Sequence, residues 1–323
     1  MDYSLFVQGH IMKKAFLLSS ALVSASAVAA PNPSFSEIRL GFERIDYSEK
    51  LDNVAGITDL EQSASVTNPA IRQLSYTGID DDWGFYIGSA ATIATSIDTE
   101  VWNAKEFGDV QQNDFKIKAN EIALSMAYNL TRATQITFGA RIHTSSFTRS
   151  SFKLGSAANS FDEALKALGE GDELPRFDLP GQRKESTDVL ADNPSYLAPV
   201  ISITEDQMGI LGAVGIRYDS RLADAFNDVS WYAETEVSTP FYSRTQNTSI
   251  ESVTLTDSFN GWGVMARAGV RYQLKEHIAL MVGVDAQYKE RDKISEEIDG
   301  RRRTVPNIKF ENVSFSAGLQ WSY

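Results

Sequence analysis

The chain of 323 residues contains no cysteine and three histidines. Without cysteine it can form neither a disulfide-stapled secreted domain nor a Cys-ligated zinc or iron–sulfur site. Three histidines leave little room for a His-rich metal centre. We therefore expect no metal site and no cofactor.

A surplus of positive charge is also absent. Lysine and arginine total 30 against 43 aspartates and glutamates, which gives a formal net charge of −13. Binding to nucleic acid needs a basic surface that neutralises phosphates, and the longest basic block here is Arg301 to Arg303. We therefore expect no nucleic-acid partner.

Long hydrophobic runs are confined to the N-terminal region. Met12-Lys13-Lys14 precedes an apolar run that ends in Ala27 and Ala29, the spacing typical of a secretory signal peptide. We expect translation to begin at Met12 and residues 1–29 to be removed, leaving 30–323 as one domain. This remainder has no run of 18 apolar residues, so the pattern predicts no transmembrane helix in the exported chain.

What the sequence does contain is an alternation of apolar and polar residues with a period of two. From Ile278 to Tyr288 the even positions are apolar, and Trp262 to Leu274 alternates in the same way. Each apolar face has about the length that a tilted strand needs to cross a bilayer. Eight further segments bring the predicted total to about ten strands: Ile38–Phe42, Ala70–Ile79, Trp83–Ile93, Ile122–Leu130, Ile136–Ile142, Met208–Tyr218, Val229–Phe241 and Val313–Tyr323.

The predicted connections alternate between short and long. Short turns fall near 80–82, 131–133, 220–227 and 275–277, and long polar loops fall near 49–69, 97–113, 150–199, 245–258 and 293–306. This arrangement predicts an antiparallel transmembrane β-barrel of about ten strands, within a range of 8–12, with short periplasmic turns and long external loops.

The loop at 150–199 is the longest of these connections. We predict a helix in it from Ser160 to Leu168, with Ser160 as its N-cap. The loop could constrict a pore, cover the outer mouth or contact a partner, and the sequence does not choose among these roles.

A soluble sandwich or lipocalin-like barrel would also alternate, but its apolar face would point inward. Here the polar face mixes glycines with paired charges, and aromatic residues such as Tyr128, Tyr218, Trp231 and Tyr272 gather at strand ends. Aromatic girdles at two membrane interfaces explain that distribution, so the pattern favours the membrane barrel.

The last strand carries apolar or aromatic residues at alternate positions up to the C-terminus, including Phe315, Leu319, Trp321 and Tyr323. This ending resembles the terminal assembly signal of Gram-negative outer-membrane β-barrels. The resemblance implies location in the cell outer membrane and recognition by the outer-membrane assembly machinery during biogenesis. It also implies contact with outer-membrane lipid and lipopolysaccharide.

A narrower resemblance begins at Gly261-Trp262-Gly263 and runs to Ala317-Gly318-Leu319, which looks like the end of an autotransporter translocator barrel. Such barrels have twelve strands and an upstream passenger domain. A solitary autotransporter-like barrel is therefore an alternative that requires twelve strands.

The candidate chemistry is confined to His143-Thr144-Ser145, which resembles the His-x-Ser of outer-membrane phospholipase and lipid A deacylase. The resemblance implies that His143 is the base and Ser145 the nucleophile, because residues two apart share one face of a strand. That face is predicted to point into the lumen, away from lipid. Omptin-type proteases need an Asp-x-His pair, and Arg141 stands two residues before His143. We therefore expect no enzyme and no catalytic residue, with a lipid hydrolase as the alternative.

Charged residues on the inward face point to a different role. Glu234 and Glu236 lie on one predicted strand, Arg267 and Arg271 on the next, and Asp285 and Lys289 on the one after. A basic strand between acidic neighbours predicts a lumen charge network of cross-strand pairs in a plugged or narrow barrel. The sequence thus indicates a non-enzymatic, porin-like or structural barrel with loops at the cell surface, and leaves the oligomeric state open.

Overall fold

The computed structural model describes residues 34–54, 56–167, 202–223, 228–247, 254–298 and 301–323. Strands dominate these residues, accompanied by one α-helix and one short 3-10 turn, Ser220–Leu222. The regular elements are β1 Phe35–Val54, β2 Thr58–Gly78, β3 Trp83–Thr92, β4 Asp98–Ala104, β5 Gly108–Asn129, β6 Thr134–Leu154, α1 Ala158–Ala167, β7 Ile203–Asp219, β8 Val229–Asn247, β9 Thr254–Asp257, β10 Trp262–Lys275, β11 Ile278–Arg291, β12 Ile294–Ile298, β13 Arg301–Val305 and β14 Asn307–Ser322.

Antiparallel pairing joins ten of these strands into a closed ring. Around the ring, β1 is followed by β2, β3, β5, β6, β7, β8, β10, β11 and β14, and β14 pairs with β1 again from Phe35↔Ser322 to Lys50↔Asn307. The short strand β4 continues the position of β3 against β2 and β5, and β9 pairs with β8 next to β10. The prediction of an antiparallel barrel of about ten strands is confirmed, and a ten-strand wall departs from the twelve strands that the autotransporter alternative requires.

An apolar belt surrounds the outer face of the ring. On β10 it runs from Trp262 to Tyr272, and both side chains are about half exposed. Ten residues at about 3.3 Å each, on a strand tilted by about 40°, span roughly 25 Å, the height of the apolar band of outer-membrane barrels. On β14 the belt includes Phe315 and Leu319, two residues of the terminal pattern described above.

The strands continue beyond the belt, and there the alternation reverses its polarity. On β1 the outward side chains change from Leu40 and Phe42 to Arg44 and Asp46, while the inward Ile45 is fully buried. The outer face meets water above the belt, so polar side chains face out and apolar ones fill the interior. We call this part of the barrel the extension.

Four of the five predicted long loops contain strands of the extension. The segment 49–69 is a hairpin of β1 and β2, and 97–113 contains β4 and the start of β5. Likewise, 245–258 contains β9, and 293–306 contains the hairpin of β12 and β13. These segments were predicted to be loops because their outward residues are polar, which is what a strand surrounded by water requires.

The prediction for the segment 150–199 is wrong at its start. β6 continues to Leu154, and α1 begins at Ala158, two residues before the predicted start. Ser160 is not the N-cap, because it lies inside the first turn, where its hydroxyl donates to the carbonyl of Ala157 (3.0 Å). Leu168 and the rest of the loop to 199 lie outside the described residues, as does the predicted signal peptide at 1–29.

Helix α1 packs on the lumen side of the extension. Phe161 and Leu165 lie in an apolar cluster with Trp102 and Leu60. Trp102 contacts the inward-facing Arg149, so this cluster is inside the wall. The described part of the chain has no helix long and apolar enough to cross a membrane.

Asn68 bridges a gap in the wall between β3 and β4. Asn68 of β2 is fully buried, and its amide nitrogen donates to the carbonyl of Ile117 on β5 (2.9 Å). Its amide oxygen accepts from the backbone N–H of Ser96 (2.7 Å), in the segment that connects β3 to β4. Asn68 therefore supplies the hydrogen bonds that a continuous strand would make at this level.

We predict that Asn68→Ala destabilises the barrel by about 1–3 kcal/mol, because it leaves the buried carbonyl of Ile117 without its side-chain partner and also removes the acceptor of the Ser96 N–H. Urea unfolding of the protein in detergent micelles, followed by tryptophan fluorescence, measures the loss. Asn103→Ala is the matched control, since Asn103 is exposed and bonds Asp109 at 2.9 Å in water. Equal losses in the two variants would contradict the role assigned to Asn68.

Candidate functional site

Inward side chains fill the barrel in three layers along its axis. An aromatic cluster lies at the periplasmic end, charged side chains occupy the middle, and an apolar cluster lies toward the extension. The charged layer, called the lumen lattice below, consists of Glu37, Arg39, Glu43, Arg72, Glu121, Arg141, Arg217, Asp219, Glu234, Glu236, Arg267, Arg271, Asp285 and Lys289.

Arg267 occupies the position that the sequence predicts for it. The register places it opposite Glu234 on β8 and Asp285 on β11. Its guanidinium lies 3.8 Å from the Glu234 carboxylate and 3.3 Å from the Asp285 carboxylate. The expected pairing between a basic strand and two acidic neighbours is thus made by this residue.

Three other predicted charges point inward but take partners on more distant strands. Arg271 forms a bidentate salt bridge with Asp219 of β7, with N–O distances of 2.9 and 3.0 Å. Its side chain reaches across the intervening strand β8. Glu236 pairs with Arg141 of β6, and Lys289 reaches Glu121 of β5 at 3.1 Å. The lattice therefore joins neighbouring strands and also crosses the lumen.

Asp285 is the most heavily paired acid of the lattice. Arg39 of β1 donates to both of its carboxylate oxygens, at 3.0 and 3.3 Å. Arg267 and Arg72 approach the same carboxylate at 3.3 and 3.7 Å, and Ser314 donates to it at 3.4 Å. Three guanidinium groups around one buried carboxylate keep Asp285 charged and hold β1, β2, β10 and β11 together.

Arg141 and Glu121 form a second centre of the lattice. Arg141 donates to Glu121 at 2.5 Å and to Glu236 at 2.6 Å, and both acids are buried. Glu121 also accepts from Gln287 at 3.0 Å. Arg141 and Glu121 do not belong to the network predicted from the sequence, although the parity of β6 and β5 places both side chains inside the barrel.

The His-x-Ser pair lies on the lumen face of β6, as parity predicts. The His143 imidazole packs edge-on against Phe310, with ring centres 5.3 Å apart, and its Nδ1 lies 3.7 Å from Glu121. The Ser145 hydroxyl is buried and donates to Gln207 of β7 at 3.4 Å. Both side chains are separated from the lipid by the barrel wall. His277 is exposed in a periplasmic turn.

The apolar layer, called the outer plug, lies above the lattice. It consists of Ile45, Tyr47, Ala64, Val66, Phe115, Ile117, Ala119, Phe147, Leu255, Ile294, Val305, Ile308 and Phe310. The rings of Tyr47, Phe115 and Phe147 are mutually in contact, with centres 5.3 to 5.7 Å apart.

Arg149 connects the outer plug to buried carboxylates of the extension. Its guanidinium lies 4.4 Å from the centre of the Phe147 ring and donates to Glu100 at 2.6 and 2.8 Å and to Glu49 at 3.0 Å. A buried arginine that is both stacked and paired fixes the rings around it.

Arginine–aromatic stacking also fills the periplasmic end. Arg217 lies between Tyr86 and Tyr232, at 5.1 and 4.7 Å from their ring centres. The Tyr232 ring lies over Gly269, where a Cβ atom would come within 2.6 Å of a ring carbon. Glycine at this position makes room for the aromatic ring in the lumen.

Arg221, in the periplasmic 3-10 turn, reaches the seam of the barrel. It donates to Gln320 and Ser322 of β14, at 3.1 and 3.2 Å, and stacks on Phe35 of β1. Burial lowers the pKa of its guanidinium, and the nearby Asp219 acts in the opposite direction. One turn side chain thus contacts both the first and the last strand of the ring.

The described residues enclose two small cavities in the lumen. The two cavities adjoin one another within the lattice, and each has room for about one or two water molecules. In the described residues, no group of three or more His, Asp or Glu side chains is arranged to hold a metal ion.

Comparison with known proteins shows a shared fold. The solved structure of the outer-membrane protease OmpT from Escherichia coli matches with a TM-score of 0.62 at 11% identity, covering 93% of this chain and 99% of OmpT. OprG from Pseudomonas aeruginosa matches with a TM-score of 0.31 at 13% identity over 90% of this chain and 96% of its own. No family model and no curated sequence matches the chain.

This is the fold of a Gram-negative outer-membrane β-barrel. The expected class is therefore confirmed, and the exposed apolar belt is the surface that such a barrel presents to lipid. At 11% identity, the likeness to OmpT extends to the fold alone.

The lattice makes a quantitative prediction for Arg141. We expect Arg141→Met to destabilise the barrel by about 3–5 kcal/mol, because it leaves buried Glu236 without its partner and removes one partner of Glu121. Adding Glu236→Gln to this variant should restore part of the loss. Urea unfolding in micelles measures both variants.

Arg44→Met serves as the control for that experiment. Arg44 faces water in the extension, where it pairs with Asp46 at 3.1 Å and is 63% exposed. Exposed pairs contribute less than about 1 kcal/mol. A similar loss for Arg44→Met and Arg141→Met would mean that the lumen lattice is not a buried network.

Proposed function

We propose that this barrel is a closed, non-enzymatic outer-membrane protein that conducts no solutes and acts through the surface of its extension. The observation that carries the proposal is the filled lumen. A solute crossing the barrel would have to displace the Arg217 stack, the pairs around Asp285 and the rings of the outer plug in turn.

Each layer opposes a pore for a different physical reason. Opening the lumen lattice would separate buried ion pairs and leave single charges without partners in a medium of low dielectric constant. Opening the outer plug would expose aromatic surface to water. Helix α1 adds a further barrier, because Phe161 and Leu165 pack against Trp102 inside the extension.

The alternative, a lipid hydrolase, has less support. Its candidate residues face the lumen, where Ser145 donates to Gln207 and the His143 ring packs against Phe310. A lipid substrate approaches from the bilayer, on the other side of the wall. We therefore assign His143 and Ser145 to the packing of the lumen.

The extension is the part of the barrel that is free to meet other molecules. Its outer wall continues β1, β2, β5 and β6 above the belt with polar outward side chains such as Arg44, Asp46 and Ser65. We include lipopolysaccharide and outer-membrane lipid among its contacts, and the assembly machinery as its partner during biogenesis.

A conductance measurement tests the closed lumen. Purified protein inserted into a planar lipid bilayer should show no stable channel current, because three layers of side chains block the path. A shift in gel mobility on heating identifies folded barrels in the same preparation. A large and stable conductance from folded protein would contradict the proposal.

A lipid assay tests the absence of catalysis. We expect purified protein and its Ser145→Ala variant to release fatty acid from phospholipid or lipopolysaccharide at the same background rate. Release by the unmodified chain that is lost in Ser145→Ala would favour the hydrolase instead.

A further inference from the structure

Two small cavities lie next to each other in the middle of the lumen lattice. They share five lining residues, which are Arg72, Ala90, Glu121, Arg267 and Asp285. One of them is also lined by His143 and Asn312, and the other by Arg39. The two cavities together form one polar space between the outer plug and the periplasmic layer.

Several polar atoms of this lining have no partner in the described part of the protein. They are Nε of Arg39, Arg72 and Arg267, Nδ1 of His143, and Oδ1 of Asn312, and each is buried. The nearest carboxylate oxygens are too distant or poorly aligned to accept a hydrogen bond. Arg72 Nε lies 3.7 Å from Asp285, and His143 Nδ1 lies 3.7 Å from Glu121.

These atoms include both donors and acceptors. The guanidinium Nε groups can only donate, whereas the Asn312 amide oxygen can only accept. An inorganic anion would satisfy the first kind and a cation the second. A molecule that does both, and that fits a space of one or two waters per cavity, is water itself.

We propose that the two cavities bind a cluster of buried water molecules that completes the lumen lattice. The waters accept from Arg72 and Arg267, donate to Asn312 and the carboxylate of Asp285, and bond Nδ1 of His143. In this arrangement His143 is a hydration partner of the lattice, and its ring also packs edge-on against Phe310.

A structure of the folded barrel at about 1.5 Å resolution tests the proposal directly. Ordered water is expected within hydrogen-bond distance of Arg72 Nε, Arg267 Nε and His143 Nδ1. Crystals pressurised with xenon provide the opposite probe, because xenon occupies dry apolar cavities. Xenon in these cavities, or cavities without water density, would overturn the proposal.

The sign of a stability change gives an independent test. If water bonds His143, then His143→Phe removes a partner and lowers the folding equilibrium constant about tenfold. In a dry cavity, the same substitution replaces an unpaired nitrogen with apolar surface beside Phe310 and leaves the constant unchanged or raises it. The latter outcome would overturn the proposal.

His277→Phe is the matched control for this test. His277 is exposed in a periplasmic turn, so its loss should leave the folding equilibrium constant within about twofold of the starting value. His143→Gln should recover most of the loss seen in His143→Phe, because an amide can also bond water. Failure of this recovery would assign the effect to packing and contradict the hydration site.

Discussion

The longest strands of this barrel, such as β1, meet two solvents in succession along their outer face, and that constraint organises the rest of the structure. Within the belt the outer face meets lipid, and polar side chains must point inward. Above the belt the outer face meets water, and apolar side chains turn inward instead. On β1 the change occurs between Phe42 and Arg44, without any break in the hydrogen-bonded ladder.

Two of the three layers of the lumen follow from this change of solvent. At the level of the belt the interior receives charged residues, and in a ring of ten strands they are close enough to neutralise one another. Above the belt the interior receives Ile45, Phe115 and Phe147, which pack as a core. One continuous wall therefore encloses both a salt-bridge network and a hydrophobic core.

Much of the fold was predictable from the sequence, because lipid imposes a strict parity on the outer face. The extension was missed for the same reason: the outward row of β1 becomes polar at Arg44, so a search for apolar outward faces ends there. The sequence does contain a second apolar row, which includes Ile45 and Tyr47. It occupies the odd positions, whereas the outward apolar residues Leu40 and Phe42 occupy the even ones.

The lattice was predictable only between adjacent strands. Arg267 lies opposite Glu234 and Asp285 through register, which sequence spacing encodes. The pair of Arg271 with Asp219 skips a strand, and the pair of Lys289 with Glu121 crosses the lumen. Such contacts depend on ring size and side-chain reach. Ser160 shows the limit of local signals in another way, since a good capping residue lies inside the helix instead of before it.

The seam between β1 and β14 has a kinetic consequence. It joins residues such as Phe35 and Ser322, which are separated by nearly the whole described chain. Closing a loop of that length costs about 5 kcal/mol of chain entropy, against about 1 kcal/mol for a short turn such as the one between β5 and β6. Contacts of such long range slow folding, so seam formation is expected to be the slowest step of spontaneous refolding. Arg221, which touches both strands, would then gain its contacts only at that last step.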